Sequence, residues 1–118
     1  YTPENVVALH SQGEEIYYDY GPCTPVRSAL VARLMAQAGG YQVLEPEGLA
    51  SHGGFKDWFI EKLHRPGFTI EIGKGQNPLP ASDFPEVYPR VRDMLMIPLV
   101  DPAPLPPFEL PKKSVQFG

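Results

Sequence analysis

The sequence predicts an α/β fold, a mainly parallel mixed sheet flanked by helices. Three observations lead there. Asn5-Val-Val-Ala-Leu9 is a continuous apolar run, the pattern of a strand covered on both faces. Short strand patterns alternate with longer helical ones along the whole chain. The helical stretches carry their own punctuation, Thr24-Pro25 before one and Gly39-Gly40 after it.

Each element follows from local pattern. The first strand runs into His10-Ser-Gln-Gly13. Glu14 to Gly21 mixes acids and aromatics and predicts an irregular segment or a short edge strand. Thr24 is expected as an N-cap with Pro25 at the first helical position. Val26, Leu30, Val31, Leu34 and Met35 then recur at helical spacing, and Gly39-Gly40 ends the helix. Tyr41 to Leu44 predicts a short strand, and Glu45 to Gly48 a turn. A second amphipathic helix is expected from Phe55 to His64, with Trp58, Phe59 and Leu63 on one side. Phe68-Thr-Ile-Glu-Ile-Gly73 is a strand opened by Pro66-Gly67 and closed by Gly73. A last helix from about Phe84 to Leu99 carries Val87, Val91, Leu95 and Ile97. Pro89 is expected in its first turn and Pro98 near its end.

The chain has 118 residues, 42% of them hydrophobic and 20% charged, enough for one modest core. A formal charge of -4 and no basic stripe argue against a nucleic-acid partner. No apolar run reaches membrane-spanning length, and the first residues lack the basic start and cleavage site of a signal peptide. A soluble, cytoplasmic protein is therefore the expectation, with a cell-wall or secreted location as the alternative. Cys23, the single cysteine, fits a reducing compartment and reads as a half-buried spacer. Residues 1–100 form the body, and 101–118 a proline-rich extended tail. Five prolines fall between Asp101 and Pro111, a stretch that excludes helix and central strand. The tail is expected to dock on the body through Leu105, Phe108 and Leu110, or to recruit an aromatic groove elsewhere.

Chemistry concentrates at strand ends. Glu71 lies between Ile70 and Ile72, where a carboxylate is costly without a partner or a task. Its ordinary reading is a solvated face of an edge strand. His10 and Ser11 follow the first strand, and in open α/β sheets ligands bind at the carboxyl ends of strands. A strand-end histidine bonded to backbone is the ordinary reading of His10.

ALHSQGEEIYYDYG, SHGGFKDWF and FTIEIG, in that order and spacing, resemble the C-terminal part of a zinc metallocarboxypeptidase of the carboxypeptidase A and B type. The wording GGFKDWFI and GFTIEIGKGQNPLP is most similar to the bacterial branch that includes γ-D-glutamyl-meso-diaminopimelate peptidases, enzymes that cut peptidoglycan stem peptides. The likeness runs from about Asn5 to Val100 and covers only the later part of that family's catalytic domain. It implies that His10 is a zinc ligand, that Ser11 lies beside the substrate main chain, and that Glu71 is the catalytic glutamate. Such a glutamate takes a proton from metal-activated water and passes it to the leaving amine. The resemblance also implies that Lys56, two residues after the Gly-Gly pair, lies at the base of the pocket for the leaving-side residue, where its charge suits a second carboxylate. The competing reading is an exposed helix-start lysine beside Asp57. The family's mobile tyrosine has no counterpart in Gly-Leu-Ala-Ser-His52, and the resemblance implies either that His52 substitutes as a lid donor or that the role is absent.

The His-X-X-Glu motif that supplies the family's other zinc ligands does not occur in the chain. The remaining ligands are therefore expected upstream, and these 118 residues alone are expected to be inactive and to self-associate through an open sheet edge. The partner implied is a peptide or muropeptide substrate. A carboxypeptidase preferring acidic C-terminal residues, and a non-catalytic interaction domain that keeps the fold, stay open as alternatives.

Overall fold

The computed structural model describes residues 2–44 and 54–100. In chain order these form β1 (Val6–His10), β2 (Glu15–Tyr17), α1 (Arg27–Gly39), β3 (Gln42–Val43), α2 (Phe55–Leu63), β4 (Gly67–Glu71), a 3-10 turn (Ala81–Asp83) and α3 (Phe84–Val100). The strands make one four-stranded mixed sheet in the order β1-β4-β2-β3. β1 pairs with β4 in parallel and β2 with β3 in parallel, while β2 runs antiparallel to β4. The α/β architecture is that expected from the alternation of elements.

Pleat alternation sorts the two faces. Phe68 and Ile70 of β4 and Ile16 of β2 point to one face, where Val31, Ala32 and Met35 of α1 and Val87, Val91 and Met94 of α3 close over them. Burying each of these larger side chains contributes about 1.5–3 kcal/mol. Gly67, Thr69 and Glu71 point to the other face. There α2 packs so closely that a Cβ on Gly67 would meet Ile60 Cγ1 at 3.2 Å and the Lys56 carbonyl oxygen at 3.3 Å. Arg90 ties the layers together. Its guanidinium donates to Glu14, to Glu86 and to the carbonyls of Gly39 and Gly40, and it lies 4.8 Å from the Tyr41 ring centroid. One buried polar atom, Ser28 Oγ at the start of α1, has no hydrogen-bond partner among the described residues.

Five local expectations are corrected. β1 is an edge strand with Leu9 exposed, because among the described residues nothing pairs with its outer side. β2, expected to be irregular or an edge, lies between β4 and β3; only its central residue faces the core, so no apolar run announces it. α1 begins at Arg27, since the Thr24 hydroxyl accepts from Tyr20 N–H at 2.6 Å and is spent closing the preceding turn. On α2 the buried face is Lys56, Asp57, Phe59 and Ile60, and Trp58 stands exposed, stacked on Phe55. Pro89 falls in the second turn of α3, because the helix starts at Phe84. Gly40 ends α1 as expected, with φ 73 and its N–H donating to the Ala36 carbonyl at 2.7 Å. Among the described residues no helix is long and apolar enough to cross a membrane. The 45–48 turn and the tail from Asp101 onward lie outside the described residues.

Candidate active site at the ends of β1 and β4

His10 and Glu71 are opposite one another in the parallel ladder, each the last residue of its strand. Parallel pairing with equal strand lengths is what delivers them to one place. Both follow the pleat to the face that carries α2. His10 Nδ1 lies 3.6 Å from Glu71 Oε2, at the outer limit of an ion pair. The imidazole is more than half exposed, whereas the carboxylate retains 20% of its exposure. Burial raises the Glu71 carboxyl above its ordinary pKa; His10 opposes that shift, and the neighbouring Glu15 adds to it.

Glu15 was not legible as a site residue. It opens β2, and the antiparallel register sets it directly opposite Glu71. Two carboxylates in that relation repel, which is how Glu15 helps keep the Glu71 proton. Tyr17, two residues along and so on the same face, donates its hydroxyl to Glu15 Oε1 at 3.1 Å. Burial and these two carboxylates raise the Tyr17 phenol above its ordinary pKa. The alternation Glu15-Ile16-Tyr17 was the signal available in the sequence, a single apolar residue flanked by two polar ones.

The loops beyond the strands are clamped by backbone and side-chain bonds. Ile72 N–H donates to the His10 carbonyl at 2.7 Å, and Gly13 N–H to the Gly73 carbonyl at 2.8 Å. Gly73 in turn adopts φ 75, and its N–H donates to the Tyr41 hydroxyl at 3.1 Å. Ser11 Oγ and Asn77 Oδ1 are hydrogen-bonded at 2.8 Å, the serine donating, so the loop after β1 is joined to the loop after β4. The Ser11–Gln12 and Asn77–Pro78 peptide bonds are both cis.

Lys56 stands apart from this group. It is buried rather than exposed at the start of α2, and its ammonium donates to Asp57 Oδ1 and to the Asp19 carbonyl, the latter at 2.8 Å. Its Nζ lies 6.0 Å from the Tyr20 ring centroid. The charge is thus compensated inside the fold by α2 itself and by the β2–α1 connection. His64 occupies the C-cap of α2 with left-handed backbone, as a helix-terminal residue. Cys23 is half-buried. His52 lies outside the described residues.

The arrangement of His10, Glu71 and Glu15 offers a general base of raised basicity beside a partly exposed imidazole. It does not offer a zinc centre by itself. Among the described residues no group of three or more His, Cys, Asp or Glu side chains is placed to hold a metal ion. A structural or catalytic zinc needs at least three protein ligands.

No protein-family profile matches the chain. Two proteins are similar to it over most of its length. A Bacillus subtilis (strain 168) protein named "Uncharacterized protein YqgT" is 42% identical over 86 residues, 73% of this chain and 23% of that protein. Gamma-D-glutamyl-L-diamino acid endopeptidase 1 of Lysinibacillus sphaericus is 40% identical over 83 residues, 70% of this chain. The chain spans only 20% of that endopeptidase's length, so the likeness is to one segment of a protein several times longer.

Proposed function

We propose that the chain is the segment of a peptidase that contributes His10 and Glu71 to the active site, and that the peptidase cleaves γ-D-glutamyl bonds to a diamino acid in peptidoglycan stem peptides. The observation that carries this reading is the pairing of His10 with Glu71 at adjacent strand ends, with the carboxyl held above its ordinary pKa by burial. The similarity to an endopeptidase of that name supplies the substrate class. Meso-diaminopimelate is the diamino acid the proposal takes.

Glu71 acts as the general base. It takes a proton from the water that attacks the γ-glutamyl carbonyl, and then gives it to the departing amine. A carboxyl of raised pKa serves both halves, since it is a stronger base when ionised and holds its proton nearer neutrality. Glu15 sharpens this by its like charge. Ser11, hydrogen-bonded to Asn77, is assigned to the main chain of a bound peptide. Lys56 is assigned to the leaving side of the substrate, where it reaches a carboxylate only by sharing its ammonium with Asp57. His52 is proposed as a lid donor.

Zinc enters the proposal only as a metal for which His10 is one ligand, the others coming from a preceding part of a longer polypeptide. The outer edge of β1 is where that preceding part would add strands.

The test uses the full-length polypeptide that carries this segment, with a γ-D-glutamyl-meso-diaminopimelate peptide as substrate. The wild type is expected to cleave it, and Glu71→Gln to reduce kcat by at least about a thousandfold with an unchanged fold. Wild-type activity retained in Glu71→Gln removes the proposed base. An intact polypeptide that cleaves neither this peptide nor one ending in an acidic residue removes the peptidase reading.

A further inference from the structure

Arg90 belongs to α3, which covers the sheet face opposite the His10 and Glu71 side chains, so it lies across the sheet from that pair. Its guanidinium nevertheless reaches both loops that leave the two strand ends. In the loop after β1 it meets Glu14 as a fork, Nη1 donating to Oε2 at 2.8 Å and Nη2 to Oε1 at 3.3 Å. It also lies 4.8 Å from the ring centroid of Tyr41, whose hydroxyl accepts from Gly73 N–H in the loop after β4. The two loops are themselves joined, since Gly13 N–H donates to the Gly73 carbonyl. These contacts close a circuit through Arg90, Glu14, Gly13, Gly73 and Tyr41.

The backbone of Glu14 gives the circuit a purpose. Its φ is 57, and left-handed backbone at a residue other than glycine persists only where its surroundings hold it. Its carbonyl accepts from Gln42 N–H at 3.1 Å, and its side chain is 12% exposed. Lys74 approaches the same carboxylate only at 3.9 Å and is 82% exposed. Arg90 is therefore the chief cation on Glu14, in the two-point geometry that fixes orientation as well as charge. Glu86 also accepts from Arg90, but it sits four residues earlier on α3 and reaches neither loop.

We propose that Arg90 is a positioning residue for the peptidase active site. It acts through Glu14 and Tyr41 to hold the loops that keep His10 and Glu71 opposite one another. The inference rests on the peptidase reading given above. Between the circuit and the pair stands one further bond, from Ile72 N–H to the His10 carbonyl. Opening the circuit frees the end of the ladder to fray, and imidazole and carboxylate then separate.

The test uses the full-length polypeptide with the γ-D-glutamyl-meso-diaminopimelate peptide. Arg90→Ala and Glu14→Ala are each expected to lower kcat about tenfold to a hundredfold with KM within about twofold, the mark of lost positioning rather than lost binding. The double variant is expected to be no slower than Arg90→Ala, because both changes remove the same contact. Glu86→Ala leaves kcat unchanged. Arg90→Lys, which keeps the charge without the fork, falls between wild type and Arg90→Ala. Amide hydrogen exchange reads the same device without substrate. Gly13 and Gly73 exchange faster in Arg90→Ala and Glu14→Ala, while Phe68 and Ile70 inside β4 do not. Unchanged kcat, or unchanged exchange at Gly13 and Gly73, in both single variants overturns the inference. So do losses that add in the double variant, or faster exchange at Ile70, since Arg90 then serves the whole fold. A wild type that cleaves no such peptide removes the peptidase reading and the positioning role with it, while exchange still decides whether the circuit holds the loops.

Discussion

Replacing Lys56 by methionine keeps most of the aliphatic stem and removes only the ammonium, so the outcome isolates the buried charge. In the native fold Lys56 and Asp57 are 5% and 4% exposed, and the ammonium also satisfies the Asp19 carbonyl. The variant leaves the Asp57 carboxylate buried without its cation and the carbonyl without that donor. Breaking one half of a buried pair costs about 3–5 kcal/mol, a large part of the stability of a domain this size. Removing both charges together, in Lys56→Met/Asp57→Leu, is expected to recover most of that loss, because an apolar pair of similar volume has no desolvation penalty to offset. Urea denaturation of the wild type, both single variants and the double variant gives the cycle directly, with m-values as a check that the folded state is unchanged. A single-variant cost below about 1 kcal/mol, the worth of an exposed ion pair, would refute the reasoning. Lys56 would then be solvated, and the helix start would owe nothing to it.

Two further outcomes test the packing around the site. Ser28→Ala is expected to stabilise the fold by about 1 kcal/mol, because it removes a buried hydroxyl that has no partner, and thermal unfolding measures it. Tyr41→Phe deprives Gly73 N–H of its acceptor and is expected to cost about 1 kcal/mol near neutral pH. Burial raises the Tyr41 phenol above its ordinary value, so the folded state disfavours the phenolate. Its contribution is complete below about pH 10 and declines as pH rises through the folded value. Urea midpoints across alkaline pH should show that decline in the wild type and a flatter course in Tyr41→Phe.

Where side-chain period and strand polarity agreed, the fold was legible. FTIEIG reads as a strand because its apolar residues alternate, and the same alternation sets Glu71 on the opposite face from Phe68 and Ile70. His10 was legible as a strand-end residue, and the register brings it to Glu71. β2 was not legible, since a three-residue strand with one core-facing side chain carries too short a period to distinguish from a loop. Its antiparallel direction was equally hidden, and with it the placement of Glu15. The orientation of α2 went the other way. Hydrophobicity favours burying Trp58, but Lys56 and Asp57 neutralise each other and take the inner face, which leaves Trp58 to stack on Phe55 in solvent. Pair compensation between adjacent residues is a tertiary effect that no periodicity records. The Ser11–Asn77 bond is of the same kind, joining two loops that each look like polar connection.

The pairing of β1 with β4 has a consequence for when the site exists. His10 and Glu71 meet only after the whole of β2, α1, β3 and α2 has been threaded between them. No helix or hairpin formed early in folding contains both. Parallel strands so far apart in sequence pair late, after the entropy of the long closure has been met. Carboxylate and imidazole are therefore separate solvated side chains until the sheet closes, and a partly folded chain does not bring them together. Any perturbation that opens the β1–β4 ladder, however distant, dissolves the constellation as a unit.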